Sequence, residues 1–156
     1  SRSFWIVSEA NPNLVLDVYG ASKDDRAKLV VWSHTGGDNQ KFHIDDNGYI
    51  VSSHSHKVID VEGGINQGAH IIQYSAHGGD NQKWKLHKDG TIKLNGHNLV
   101  LDIKEGKVEQ GSYIIAWPTT AVPTKGGGSS TTMSKDPVNV GLSRSTVNDI
   151  NKTVNE

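Results

Sequence analysis

The chain has no cysteine, so neither a disulfide framework nor thiolate chemistry is open to it, and its redox compartment leaves no mark on the sequence. It also has almost no net charge, with 16 Lys and Arg against 17 Asp and Glu, and the two signs are interspersed. No electrostatic argument therefore favours nucleic acid or an anionic membrane as a partner. No apolar run approaches the length of a membrane span, which speaks against direct membrane insertion. No stretch before residue 118 sustains a 3.6-residue period, so no substantial helix is expected there. Nucleophile motifs, phosphate loops and the twelve-residue calcium loop are missing as well, and catalysis has no support. Ser53-His54-Ser55-His56 has metal-ligand residue types but no partners in sequence, and reads as a surface turn. No metal or cofactor is expected.

What the chain does have is glycine, 17 of them, and repetition. Asp38-Asn39-Gln40-Lys41-Phe42 returns as Asp80-Asn81-Gln82-Lys83-Trp84, and each copy follows a Gly-Gly pair. An apolar strand with an aspartate inside it recurs at the same period. Its copies are Leu14-Val15-Leu16-Asp17-Val18, Val58-Ile59-Asp60-Val61 and Leu99-Val100-Leu101-Asp102-Ile103. A third run follows each aspartate and ends on an aromatic, at Trp32, Tyr74 and Trp117. Short β-branched and aromatic runs separated by Gly, Asn, Asp and Ser are strand-and-turn chemistry. Units of about 42 residues are too short to bury their own apolar faces, so they must share one core. Three copies of four strands predict an all-β fold with closed threefold pseudosymmetry, since propellers usually need four or more blades.

The third repeat is incomplete, because Pro118 to Pro123 stands where Gly-Gly-Asp-Asn-Gln is due. Gly126-Gly127-Gly128-Ser129-Ser130-Thr131-Thr132 then has linker composition. The expected division is a domain over residues 3–122 and a flexible linker or tail over 123–156. That tail either leads to another domain or donates the strand that the third repeat lacks, with Val138-Asn139-Val140 as the candidate. The strand edges left open by the missing segment also make a homodimer plausible.

The apolar-Asp-apolar strand, the aromatic ending the third strand and Asn-Gln-x-Trp in the fourth resemble the ricin B-chain type of β-trefoil lectin. The resemblance covers roughly residues 4–122. It implies a β-trefoil of three repeats that binds carbohydrate without catalysis, with galactose or N-acetylgalactosamine glycans as the favoured partners. Phe42 in place of Trp and the missing third motif depart from the pattern, and the disulfides of plant members cannot form. Two alternatives stand beside this reading: a targeting module of a larger glycoside hydrolase or pore-forming toxin, and a trefoil scaffold that binds protein. An extracellular or secreted location is favoured over others.

The chemistry suits a sugar. A pyranose offers a patch of C–H bonds to a flat aromatic, and a fan of hydroxyls to fixed polar groups. A carboxylate accepts from two adjacent hydroxyls, and an amide both donates and accepts. The resemblance places Asp17, Trp32 and Asn39 in one shallow site and Asp60, Tyr74 and Asn81 in a second. His34 and His77, in the loops after the aromatics, are expected to donate to a hydroxyl. Gln40 and Gln82 are expected to support the aspartates and to share in the site. Asp102 and Trp117 are the remnants of a third site, expected to be weak or silent for want of an amide partner. Phe42 and Trp84 are expected in the core.

Overall fold

Among the described residues, the apolar runs between Gly, Asn and Asp turns become twelve short strands. The structure is a computed structural model that describes residues 3–119 and 133–135. The first repeat holds β1 (Ile6–Ser8), β2 (Leu14–Val18), β3 (Leu29–Ser33) and β4 (Phe42–Ile44). The second holds β5 (Ile50–Ser52), β6 (Val58–Val61), β7 (Ile71–Tyr74) and β8 (Trp84–Leu86). The third holds β9 (Ile92–Leu94), β10 (Val100–Ile103), β11 (Ile114–Trp117) and, further along the chain, β12 (Met133–Lys135). Short 3-10 turns supply the rest of the regular structure, and two of them, Asp38–Gln40 and Asp80–Gln82, carry the repeated motif.

No repeat keeps its four strands to itself. The last strand of each unit pairs antiparallel with the first strand of the next: β4 with β5, β8 with β9, and β12 with β1. The chain is thereby closed into a ring of three sheets, which is the β-trefoil. The closing strand keeps the register of the others. Met133 opposes Ser8 as Phe42 opposes Ser52 and Trp84 opposes Leu94. Met133 thus holds the backbone position of the motif aromatic. In the sequence, Gly127-Gly128 precedes it by the same interval as Gly36-Gly37 precedes Phe42. Val138-Asn139-Val140, the segment expected to close the ring, lies outside the described residues.

Side chains alternate across a strand, and that alternation decides which ones reach the core. Along β2, Leu14, Leu16 and Val18 join the central cluster, whereas Val15 and Asp17 point to the opposite face. Ile59 and Val61 of β6, and Leu101 and Ile103 of β10, repeat the pattern and leave Asp60 and Asp102 outward. Phe4, Phe42 and Trp84 fill the centre with these aliphatics, as expected of the motif aromatics. The Trp84 indole Nε1 also donates to the Ile59 carbonyl at 3.0 Å, so its one polar atom is satisfied in the interior.

The three β2–β3-type hairpins lock to one another around the pseudo-threefold axis. Arg26 N–H donates to the Gln73 carbonyl, Gly68 N–H to Ala116, and Gly111 N–H to Val31, at 2.9, 2.7 and 2.8 Å. Return bonds run from Gln73 N–H to Ala27, Ala116 N–H to Ala69, and Val31 N–H to Ser112. Each hairpin is therefore bonded to both of its neighbours, and residues before β3, β7 and β11 lie against the next unit's aromatic.

Two outcomes follow from this packing. Trp84→Ala should lower unfolding free energy by about 3–5 kcal/mol in urea titrations, because it empties a large core site and strands the Ile59 carbonyl. Deleting residues 124–156 removes β12 and bares the outer edge of β1, so the melting temperature should drop and association should become concentration-dependent. An unchanged melting temperature and a monomer by sedimentation would show that β12 contributes no structure.

Candidate functional site

On the outward face of each hairpin, the aspartate and the aromatic come together because of strand register. Asp17 opposes Val30 and Val15 opposes Trp32, so Asp17 and Trp32 lie on one face a diagonal step apart. Asp60 opposes Ile72 and Val58 opposes Tyr74, which reproduces the arrangement in the second repeat. A shallow cavity opens over each pair. The first, of about 350 Å³, is lined by Asp17, Tyr19, Trp32, Thr35 and Asn39 together with the Gly20-Ala21 segment. The second, of about 410 Å³, is lined chiefly by Arg26, Asp60, Glu62, Tyr74, His77 and Asn81. Both volumes fall in the range of small-ligand sites.

The glutamines of the motif hold the carboxylates from behind. Gln40 Nε2 donates to Asp17 Oδ2 at 2.9 Å and to the Ser33 carbonyl at 2.8 Å, while its Oε1 accepts from Thr35 N–H at 3.0 Å. Gln82 repeats all three bonds, to Asp60 Oδ2 at 2.8 Å, to the Ser75 carbonyl at 3.1 Å, and from His77 N–H at 3.0 Å. Both glutamines are 0% exposed. They were expected to share in the site, and the structure corrects this: they orient the aspartates and cannot touch a ligand. Asn39 Nδ2 donates to the Val18 carbonyl, and Asn81 Nδ2 donates to the Val61 carbonyl and to Asp60 Oδ1. The asparagines are half-buried, with their amides fixed at the cavity wall.

His34 is a second correction. Its ring packs edge-on against Trp5 at 4.8 Å, with Nε2 at 3.3 Å from the Pro12 carbonyl, and it does not line the first cavity. The residue in register with His77 is Thr35, which the repeat period shows once the motifs are aligned. Thr35 Oγ1 accepts from Gly37 N–H and His77 Nδ1 accepts from Gly79 N–H, at 3.1 and 3.0 Å. That bond leaves His77 Nε2 as the protonated nitrogen, 3.6 Å from Asp60 Oδ2. Two further lining residues, Tyr19 and Glu62, have no signature in the repeat pattern. Both stand two residues after the aspartate, where the repeats share position but not chemistry. Tyr19 is 59% exposed and meets Trp32 edge-on, which gives the first cavity an aromatic corner. Glu62 is paired with Lys28 at 2.9 Å.

Comparison with known proteins agrees with this fold. The family described as the ricin-type beta-trefoil lectin domain matches residues 3–126. The chain belongs to that family. Among solved structures, a designed threefold-symmetric protein, ThreeFoil, is 31% identical over 85% of this chain and 96% of its own, with a TM-score of 0.73. The mdaA-1 domain is 27% identical over 76% of this chain and 80% of its own, at a TM-score of 0.68. The C-half of an earthworm R-type lectin, solved with GalNAc, shares the fold at 24% identity and a TM-score of 0.68, over 87% of this chain and all of its own. No curated protein sequence matches the chain. As a ricin-type lectin domain, the chain is a carbohydrate-binding module of a family that is generally non-catalytic.

The third hairpin of this lectin domain keeps the geometry of the other two and changes the rim. Val100 opposes Trp117 and Asp102 opposes Ile115, as in the other repeats. Asp102 Oδ1 accepts from the Ile103 N–H at 2.9 Å. Lys104-Glu105 replaces Tyr19-Gly20 and Glu62-Gly63, and Glu105 takes the left-handed φ of +59° that the glycines hold elsewhere. The segment from residue 120 that follows Trp117 lies outside the described residues.

The carboxylates of the two cavities are held at some expense to stability. Burial pushes the Asp17 carboxyl above its ordinary value, against the opposing hydrogen bonds from Gln40 and Asn39. Burial likewise raises Asp60, against Gln82, His77 and Asn81. A carboxyl whose folded pKa is raised contributes stability below its unfolded value and loses it as pH rises through the folded value. At neutral pH the ionised form is therefore a net cost. Asp17→Asn should melt no lower than the parent at pH 7, with the difference closing as pH falls below the ordinary carboxylate value. Thermal melts from pH 3 to 7 check this, and a variant that melts lower at pH 7 would show that ionised Asp17 stabilises the fold.

Proposed function

We propose that this domain binds galactose- or N-acetylgalactosamine-type glycans, without catalysis, through the first and second cavities, with the third weak or silent. The observation that carries the reading is the repeated pairing of a carboxylate, fixed from behind by a buried glutamine amide, with an aromatic on the same outward face. A carboxylate oriented in this way accepts from two neighbouring hydroxyls, and the ring covers the apolar patch of the same sugar. Pre-set donors and acceptors spare the ordering that a mobile side chain would have to undergo on binding. The sugar class follows from the family and from the GalNAc held by the earthworm lectin domain. A single shallow site of this kind binds in the millimolar range, about −4 kcal/mol. Two sites on one domain raise apparent affinity on a dense glycan surface by about 10²–10⁴.

Calorimetric titration with galactosides should show two classes of site. Asp17→Ala should remove the first and Asp60→Ala the second, with circular dichroism unchanged, and the double variant should retain almost no binding. The ionised carboxylate is the binding form, so binding should fall with acid at a pH above the ordinary carboxylate value, in keeping with the raised pKa of both groups. Normal titration by the double variant would refute the site assignment. Silence of the unmutated domain across galactosides, xylans and mannosides would favour a protein-binding scaffold.

A further inference from the structure

The second cavity contains one charged side chain that the neighbouring repeat supplies. Arg26, Gly68 and Gly111 occupy the same place in the three repeats, and each donates its backbone N–H to the next hairpin. All three have left-handed backbone, with φ of 72°, 84° and 91°. Glycine takes this conformation freely and arginine does not. Gly68 and Gly111 lie directly against the ring of the next unit's aromatic, where a Cβ would stand 3.8 Å from Trp117 and Trp32 respectively, and neither sends a side chain over it. At the equivalent point the first repeat accepts backbone strain and extends a side chain over the ring of Tyr74, with the guanidinium carbon 5.5 Å from the ring centroid. Strain of this sort persists where the side chain it positions has a task.

The guanidinium is stacked rather than paired. Among the described residues no carboxylate lies within ion-pair distance of it. The acids around it hold their hydrogen bonds and ion pairs with other groups, although Asp25 also feels its charge. Glu62 holds Lys28 Nζ at 2.9 Å, Asp25 accepts from both Ser75 N–H and Ser75 Oγ at 2.9 Å, and Asp60 is held by Gln82 and Asn81. Arg26 thus brings an uncommitted fork of N–H donors to the wall of the second cavity. No basic residue lines the first, and Gly111, which stands in the place of Arg26, only abuts the Trp32 ring.

We propose that Arg26 makes the second cavity selective for glycans that carry an anionic group, a carboxylate or a sulfate ester, while the first cavity takes neutral ones. This rests on the reading that the cavities bind sugar. Asp60 repels an anion and the guanidinium attracts one. The charged group is therefore directed to the Arg26 side of the Tyr74 ring, with the neutral hydroxyls of the same glycan left for Asp60. A planar fork matches both carboxylate and sulfate oxygens in paired hydrogen bonds, and Tyr74 fixes its plane.

The test uses the Asp17→Ala variant, which isolates the second cavity, titrated with lactose and with its 3′- and 6′-sialylated and 3′- and 6′-sulfated derivatives. At least one anionic derivative should bind about fivefold or more tightly than lactose, and added salt should shrink the difference. The sialylated and sulfated arms then tell carboxylate from sulfate recognition. Adding Arg26→Gly should abolish the preference without lowering the melting temperature, because glycine suits the backbone there. Arg26→Gln, which keeps the stem and removes the charge, should abolish it as well. Lactose binding as tightly as every charged derivative, or a preference that survives both substitutions, would overturn the proposal while leaving the galactoside reading standing. Absence of binding to all five probes by the unmutated domain would overturn both.

Discussion

One hydrogen bond joins the core of this domain to its surface, from the buried glutamine amide of each Asn-Gln-x-aromatic motif to the aspartate of the hairpin beside it. Gln40 and Gln82 each use three hydrogen-bonding positions, two to the backbone after the aromatic strand and one to the carboxylate. Two residues further on, Phe42 or Trp84 is sealed in the core. The motif is therefore a single device. Its aromatic anchors the fourth strand, and its amide, placed by that anchor, fixes a carboxylate that would otherwise be costly to bury. Loss of the core anchor would displace the site, which explains why residues that never meet a ligand recur with those that line the cavities.

Closure of the ring matters to the sites as much as to the fold. Each aromatic stands at the boundary between two repeats, and the carbonyl of the residue before it accepts a hydrogen bond from the neighbouring repeat's turn. Trp32 is met by Gly111, Tyr74 by Arg26 and Trp117 by Gly68, and through Arg26 the second cavity borrows one wall from the first repeat. A repeat in isolation would have no core. The cooperative unit is the ring, and β12 closes it from beyond the third repeat's own period.

The repeats differ most where the fold asks least of them. Tyr19, Glu62 and Lys104 share one rim position and have nothing else in common, and Arg26, Gly68 and Gly111 share another. Core positions alternate with the aspartates in all three copies, because a change there would leave a cavity or an unpaired charge. Rim positions face water and are free to diverge, so three equivalent scaffolds present three unlike surfaces: aromatic in the first, mixed charge in the second, and Lys-Glu in the third.

The sequence by itself determined the threefold all-β architecture, the buried motif aromatics and the aspartate–aromatic pairing. All three are written as periodicities, one near 42 residues between repeats and one of 2 along each strand. It also marked Asn39 and Asn81, because the motif recurs intact. Only the tertiary structure showed that Gln40 and Gln82 stand behind the carboxylates rather than in the site, since a 3-10 turn and not a strand aims them. It likewise set His34 against Trp5 and the Pro12 carbonyl, away from the first cavity. Arg26 was the least legible of all. It lies in a different repeat from the cavity it lines, and no pattern along one unit records which side chain a neighbour contributes across the axis. Local periodicity is a property of the chain, whereas a wall shared by two repeats exists only after the ring has closed.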